Sequence, residues 1–205
     1  MKKILIIILS IIILFVLTIG SIFIYKEIIN NKFNSDEYLI KVMNSEVPFI
    51  DENGIETIYK DYIFYNKPYD KLTKYSFVDL DVDGLKELVT YVETNPAVDA
   101  YMVFRYNEEE KKVYGYMFGV REFQMLKSDG TFCGSGGADT NGYYKINFEQ
   151  NKKILNEIAY VDNIFKEYRI NNQPVSKEEA VDYVDKWYIR ENCNWESDRI
   201  NQKTQ

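Results

Sequence analysis

The chain has no histidine and only two cysteines among its 205 residues. The absence of histidine excludes Ser-His-Asp and Cys-His nucleophilic sites, histidine general bases and histidine-ligated zinc. The remaining residue types show no group with the spacing of a catalytic site. We therefore expect a protein that is not an enzyme. The net charge of -7 argues against a nucleic-acid partner.

The apolar run over residues 4–25 contains no charged side chain. As a helix it would span roughly 33 Å, enough to cross a hydrocarbon core of ~30 Å. Two lysines precede it, so the positive-inside rule places the N-terminus in the cytoplasm. We therefore predict a single-pass signal anchor with its tether over residues 1–30 and an extracytoplasmic domain over residues 31–205 at the cell membrane. A cleaved signal peptide is the alternative, although Gly20-Ser21 is a poor cleavage site.

An aspartate-rich stretch, residues 79–87, has an aspartate at every second position before a glycine and then a glutamate. Calcium takes six to eight oxygen ligands, and carboxylates two residues apart converge on one ion when the chain between them curls. A glycine at position 84 permits the sharp turn through positive φ. The predicted ligands of a structural Ca²⁺ ion are four side chains and one backbone carbonyl: Asp79, Asp81, Asp83, Glu87 and the carbonyl of Leu85.

The segments on either side of this loop indicate what kind of site it is. Both are rich in β-branched and aromatic residues, and Thr90 stands where an EF-hand has a bidentate glutamate. The sequence therefore favours a strand–loop–strand site, similar to the calcium loops of integrin-type repeat blades. The alternative is an Asp-Gly turn with solvated acids. For a calcium site we expect an affinity on the order of 10⁻⁴–10⁻³ M, as in extracellular modules.

The rest of the domain combines helix and strand patterns. Helices are predicted from Ser35, from Ile55 to Ile63, and after Ser176, which can form a capping box with Glu179. Between them, short polar turns separate apolar segments, which predicts an antiparallel meander. The Asp-rich loop does not repeat, which argues against a β-propeller. The predicted fold class is α+β: an antiparallel β-meander packed against helices near both ends of the domain, preceded by one N-terminal transmembrane helix.

Two cysteines, Cys133 and Cys193, would lie outside the membrane, where disulfides persist. A bridge between them would stabilise the fold by ~4 kcal/mol in the chain-entropy model. Two free, buried thiols are the alternative. The glycine-rich segment 134–142 is interpreted as a mobile surface connection, with a ligand loop as the alternative. Trp187 and Trp195 are interpreted as core residues rather than surface binding aromatics.

Four blocks of the sequence resemble one protein family: YSFVDLDVDGLKELV, LKSDGTFCGSGGADTNGYYKINF, EYRINNQPVSKEEAVDYVDKW and NCNW. Over roughly residues 70–200 the chain is similar to membrane- or lipid-anchored surface proteins of Gram-positive bacteria that carry a single DxDxDGxxEL calcium-type loop. The resemblance implies surface exposure and calcium binding by the four acids of the loop, and it supplies no reaction. Two features depart from the family: Val82 stands where many relatives have glycine, and the anchor is a transmembrane run rather than a lipobox.

Two functions are open on this reading of the sequence. The first is a non-enzymatic surface module that binds a protein, peptide or envelope component and contains a structural calcium ion. The second is a cell-envelope hydrolase that uses two carboxylates, as glycosidases do. The absence of histidine and of any paired catalytic signature favours the first.

Overall fold

Two β-sheets and two α-helices make up most of the domain. The structure is a computed structural model, and it describes residues 34–64, 67–68, 71–93, 99–137, 139–149 and 152–197. The helical elements are α1 (Ser35–Met43), a 3₁₀ turn (Tyr59–Asp61) and α2 (Lys177–Tyr188). The strands are β1 (Phe49–Ile50), β2 (Glu56–Thr57), β3 (Ile63–Phe64), β4 (Lys67–Pro68), β5 (Lys71–Val78), β6 (Glu87–Glu93), β7 (Ala100–Asn107), β8 (Lys112–Gly119), β9 (Phe132–Gly137), β10 (Thr140–Glu149), β11 (Lys152–Asp162), β12 (Glu167–Ile170), β13 (Gln173–Pro174) and β14 (Glu196–Ser197).

The larger sheet has seven strands in the order β14-β5-β6-β7-β8-β1-β2. Its strand pairs are antiparallel except for β1 and β8, which run parallel. The smaller sheet has five strands in the order β13-β12-β11-β10-β9, all antiparallel, and β3 and β4 form a separate pair. Within each main sheet most neighbours are consecutive in the chain, so each sheet is largely a meander.

The predicted α+β class is wrong, because the described residues are mostly β. Strands account for 49% of them and helices for 16%. The predicted single meander is instead two meanders in separate sheets. The sequence pattern does not show this division. The division depends on which strands pair with each other, and the periodicity of a single strand carries no information about its partners.

The predicted helix from Ile55 to Ile63 is one source of the error. This segment forms β2, the 3₁₀ turn and β3. Its apolar residues do not share a buried face: Tyr59 is fully buried, whereas Ile55 is 60% and Ile63 is 61% exposed. The Tyr59 hydroxyl forms a 2.6 Å hydrogen bond with the hydroxyl of Thr90 on β6. The apolar residues of this segment have helical spacing, but they are β-branched or aromatic and favour extended structure. Contacts with the sheet therefore decide its conformation.

The segment Glu122–Leu126, which falls within the predicted single meander, separates the two meanders. It makes only an isolated bridge, in which Gln124 and Cys133 exchange two backbone hydrogen bonds. Met125 has a φ of 51°, a left-handed conformation that interrupts an extended chain. The chain therefore leaves the seven-stranded sheet after β8 and starts the second sheet with β9.

The central strands of the seven-stranded sheet are buried on both faces. Leu88 belongs to a core cluster with Leu39 of α1, whereas its neighbour Val89 belongs to a cluster with Phe132 of the second sheet. Successive residues of a strand point to opposite faces, so a continuous apolar run fills both cores. The layers are therefore α1, the seven-stranded sheet and the five-stranded sheet, in that order.

Helix α2 covers the other face of the five-stranded sheet. The predicted capping box is confirmed, since Ser176 accepts from the Glu179 N–H and the Glu179 carboxylate accepts from the Ser176 N–H. Trp187 is fully buried, as predicted for a core residue, and its Nε1 donates to the Thr131 hydroxyl at 2.9 Å. Its ring packs edge-on against Tyr143 of β10.

The predicted transmembrane segment, residues 4–25, lies outside the described residues. Within the part of the chain that the structure describes, no helix is both long enough and apolar enough to cross a membrane. The described residues from Ser35 onwards belong to one compact unit.

Candidate metal centre

The Asp-rich loop joins β5 to β6 at one end of the seven-stranded sheet. The antiparallel ladder between these strands ends with Val78 opposite Glu87. Asp79 therefore begins the loop directly after β5, and Glu87 is the first residue of β6. Because the two strand ends are neighbours in the sheet, residues eight positions apart in sequence come together in space.

Two aspartates shape the loop through backbone hydrogen bonds. The Asp79 carboxylate accepts from the N–H groups of Asp83, at 3.2 Å, and Gly84, at 3.1 Å. The Asp83 carboxylate accepts from the N–H of Leu85 at 2.8 Å. These are the local bonds through which aspartate favours turns. An Asp-Gly turn, which was the alternative interpretation of the sequence, would form the same contacts. Such a turn does not account for the positions of the Asp81 and Glu87 carboxylates.

Three of the predicted ligands form a group that could hold a metal ion: Asp79, Asp81 and Glu87. One carboxylate oxygen from each lies within 4.8 Å of the others. Asp83 is not part of this group in the described structure, and its second oxygen accepts from Arg105 at 3.0 Å. Leu85 contributes its N–H to Asp83.

Glu87 is the most deeply buried acid of the group. Its side chain is 1% exposed, and its Oε2 accepts from the Leu80 N–H at 2.8 Å. Among the residues described here, the buried atoms Glu87 Oε1 and Asp81 Oδ1 have no hydrogen-bond partner. Burial, with the negative charges of Asp81 and Asp83, raises the pKa of Glu87 to about 8, and burial also raises the pKa of Asp81. Buried polar atoms normally have a partner, so this pair favours a bound cation.

The sequence reading missed Arg105, which lies on β7 beside the group. Its Nη2 donates to Asp83, while its Nε lies 3.5 Å from Asp81 Oδ2 and 3.7 Å from Glu87 Oε1. The nearby carboxylates raise the pKa of the guanidinium. Arg105 is the one charged residue of β7, which was the available signal, but its position relative to the loop required knowledge of the strand order.

Gly130, in the loop before β9, packs directly on the start of the acidic loop. Its φ is 76°, and an added Cβ would lie 2.7 Å from the carbonyl oxygen of Asp79. Arg190 and Asp129 form a 2.8 Å ion pair beside this contact. The acidic loop is thus held between the strand ends on one side and the segment before β9 on the other.

Val82 is strained in this loop, and Val82→Gly is expected to raise the free energy of unfolding by about 1 kcal/mol. The residue has a φ of 63° and is 66% exposed. A β-branched residue in the left-handed region costs ~1–3 kcal/mol, which exceeds the ~0.5–1 kcal/mol that glycine adds to the unfolded-chain entropy. Chemical denaturation in the absence of calcium measures the difference.

Gly84→Ala is the matched change in the opposite direction. Gly84 has a φ of 90°, and an added Cβ would meet no atom within 4 Å. Gly84→Ala is therefore expected to lower the free energy of unfolding by about 1 kcal/mol through backbone strain alone. A Val82→Gly protein that is less stable than the wild type would show that valine is not strained at this position.

Cys133 and Cys193 are both free and buried in the described structure. They belong to different core clusters, Cys133 with Trp187 and Cys193 with Phe132. Burial raises the pKa of the Cys133 thiol to about 11, and it also raises the pKa of Cys193. Both thiols are therefore protonated and unreactive at neutral pH.

The glycine-rich segment 134–142 is not the mobile connection that its composition suggests. It supplies parts of β9 and β10, which pair from Phe132 opposite Tyr144 to Gly137 opposite Thr140. Gly134, Gly136 and Gly142 line an open cavity of about 270 Å³, together with Tyr144 and Tyr160. The Tyr144 ring lies directly over Gly134 and Gly142, where a larger side chain would collide with it.

Comparisons with protein-family models, curated proteins and solved structures give no match. The resemblance to anchored surface proteins therefore stays a prediction from sequence blocks. Function is inferred instead from the chemistry of the acidic loop.

Proposed function

We propose that the chain is a membrane-anchored extracytoplasmic protein with one structural calcium site, which acts as a non-enzymatic surface module for a protein or envelope ligand. One observation carries the metal site. Asp81 and Glu87 each have a buried carboxylate oxygen without a hydrogen-bond partner in the described structure, and both carboxylates belong to the same group with Asp79. A bound cation supplies the missing partner and offsets the cost of burying these charges.

The donor set favours calcium over other common metals. All three side chains offer carboxylate oxygens, which suit hard cations, whereas zinc favours histidine and cysteine. Magnesium demands a compact octahedral shell with several waters, while calcium accepts a larger and more flexible shell. A loop whose carboxylates lie up to 4.8 Å apart can contract around an ion of calcium's size.

The position of the site supports a structural role. Glu87 is fixed at the start of β6 by its bond to the Leu80 N–H, and Asp79 follows directly after β5. An ion held by both would tie the two strand ends together. A weak site, on the order of 10⁻⁴–10⁻³ M, stays occupied where calcium is millimolar, as it is outside cells.

The membrane part of the proposal is supported by the sequence. The uncharged run over residues 4–25, preceded by two lysines, favours a cytoplasmic N-terminus and an outer domain. The hydrolase alternative gains no support from the site, because the carboxylate of Glu87 is buried and contacts Arg105.

Calcium is expected to raise the thermal unfolding midpoint of the full chain, purified in a mild non-ionic detergent. At 10 mM calcium the predicted affinity corresponds to about 1.4–2.7 kcal/mol of stabilisation, or about 3–10 °C for a domain of this size. Asp81→Asn should abolish the increase, because it removes the charge of a carboxylate in the group. Unfolding is followed by circular dichroism with and without EGTA.

Asp185→Asn is the matched control, since it neutralises an exposed aspartate on α2. It should keep the full calcium effect. A wild-type midpoint that does not move up to 10 mM calcium would reject the metal site and leave the loop as a hydrogen-bonded Asp-Gly turn.

A further inference from the structure

Arg105 occupies the place beside the acidic group where a bound cation would act. Its side chain is 18% exposed and lies against three carboxylates, those of Asp81, Asp83 and Glu87. The loop carries four acids, and this guanidinium is the cation that the described structure brings into contact with them. The guanidinium therefore partly neutralises the charge of these acids.

The contacts of Arg105 are of two kinds. The bond from Nη2 to Asp83 has hydrogen-bond length, 3.0 Å, and Asp83 lies outside the metal-compatible group. The distances from Nε to Asp81 and Glu87 are 3.5 Å and 3.7 Å, longer than good hydrogen bonds. In the described structure Nε is also a buried donor without an acceptor. Arg105 Nε thus interacts with the carboxylates of Asp81 and Glu87 electrostatically, without a hydrogen bond. Its Nη2 is held by the hydrogen bond to Asp83.

We propose that Arg105 is the resident cation of the acidic group and that a calcium ion must displace its Nε end from Asp81 and Glu87 in order to bind. This inference rests on the proposed calcium site. A divalent ion among these oxygens would lie within a few ångströms of the guanidinium, where like charges repel strongly in a partly buried environment. Calcium and Arg105 Nε therefore alternate at the same pair of carboxylates.

The surroundings of Arg105 give the displaced guanidinium a place to remain. Its Cζ lies 5.5 Å from the centroid of the Phe148 ring on β10, within the range of a cation–π contact. The bond to Asp83 can persist while Nε turns away. The exchange thus needs a side-chain rotation rather than a rearrangement of the sheet.

This exchange would make calcium binding reversible without unfolding the loop. When calcium leaves, Arg105 returns to its place beside Asp81 and Glu87. The same competition keeps the affinity weak, because each binding event must break the charge contacts of Arg105. The affinity of the site is thus set by a residue that is not a ligand.

The test is a calcium titration of the full chain by isothermal calorimetry. Arg105→Gln should tighten calcium binding about 10–100-fold, since it removes the competing charge. Without calcium the same variant should melt at a lower temperature than the wild type, and saturating calcium should close that difference. Arg105→Lys keeps a cation and should bind calcium within about threefold of the wild type.

Arg169→Gln is the matched control, because Arg169 forms ion pairs with Glu157 and Glu167 in the five-stranded sheet, outside the group. It should leave calcium affinity unchanged. A second measurement uses only the wild type and therefore does not depend on a variant that folds. The arginine Nε–H signals in a ¹H–¹⁵N spectrum should show Arg105 shifting on calcium binding, while Arg169, which is paired with Glu157, stays in place.

The possible failures are distinguishable. If the wild type binds calcium and Arg105→Gln binds it equally or more weakly, or if the Arg105 signal does not shift at saturation, the competition is rejected and the calcium site stands. If neither protein binds calcium up to 20 mM, both proposals are rejected. Binding by Arg105→Gln alone would reject the exchange together with the wild-type calcium site, because calcium would then fail to displace the arginine.

Discussion

Replacing Lys127 with methionine is expected to lower the free energy of unfolding by about 3–5 kcal/mol. Lys127 is 1% exposed, although lysine is almost never fully buried without partners. Its Nζ donates to the carbonyl oxygens of Tyr188 and Arg190 and to Oδ1 of Asn192, at 3.0, 3.2 and 2.8 Å. These acceptors lie at or just beyond the C-terminal end of α2.

The large effect follows from what the substitution leaves behind. Methionine has nearly the same shape but no donor, so three acceptors lose a charge-assisted hydrogen bond. The ammonium also faces the negative end of the α2 dipole and lies 4.9 Å from the Trp187 ring centroid. Methionine avoids the cost of burying a charge, which limits the loss but does not cancel it.

Urea denaturation of both proteins measures this difference. Lys186→Met is the control, because Lys186 lies on the exposed side of α2 and pairs with Asp182, four residues earlier. It should change the stability by less than about 0.5 kcal/mol. A loss below about 1 kcal/mol for Lys127→Met would show that water replaces the ammonium and that the end of α2 is more open than the structure indicates.

The metal-free protein is expected to lose stability as the pH rises from about 4.5 to about 8. Burial raises the pKa of Glu87 from its ordinary value of 4.5 to about 8 in the folded protein. The folded state therefore holds this proton more tightly than the unfolded state. Its stabilisation is complete below pH 4.5 and is lost as the pH approaches 8, with an upper limit of about 5 kcal/mol.

Two other carboxyl groups also make the free energy of unfolding depend on pH. Asp81, whose pKa burial also raises, adds to the loss in the same direction. The pKa of Asp129 is lowered by its bonds to Thr131 and Arg190, so its stabilisation disappears only on acidification. The decline between pH 4.5 and pH 8 thus belongs mainly to the acidic group of the loop. Calcium should oppose the decline, because it binds the ionised carboxylates.

Denaturant midpoints measured at several pH values in EGTA test this dependence. Glu87→Gln keeps a side-chain oxygen for the Leu80 N–H but does not titrate, so its stability should vary much less over this range. Glu149→Gln, at an exposed position on β10, should retain the wild-type dependence. Equal pH profiles for the wild type and Glu87→Gln would show that Glu87 is ionised in the folded protein.

Local patterns in the sequence predicted those features that depend on neighbouring residues. The alternation of acids with a glycine predicted a loop between strands, and Asp79, Asp81 and Glu87 do come together. The spacing of Ser176 and Glu179 predicted the capping box of α2, because both partners lie within one turn. Each of these interactions is set by a few adjacent positions.

Features that depend on strand order were not predictable in the same way. Arg105 is 22 positions from Asp83, and only the pairing of β6 with β7 brings it to the loop. The apolar residues of Ile55–Ile63 have helical spacing, yet Tyr59 is fixed by a bond to Thr90, 31 positions away. Whether the sheet continues or divides after β8 likewise depends on Met125, whose backbone conformation no periodicity shows.

A crystal structure of the protein grown with 10 mM calcium tests the central claim most directly. The claim predicts one ion coordinated by oxygens of Asp79, Asp81 and Glu87 at about 2.3–2.6 Å, with Arg105 Nε displaced from the last two. A loop that keeps Asp79 bonded to the Asp83 and Gly84 N–H groups, with Arg105 beside Glu87 and no ion among the three carboxylates, would contradict it.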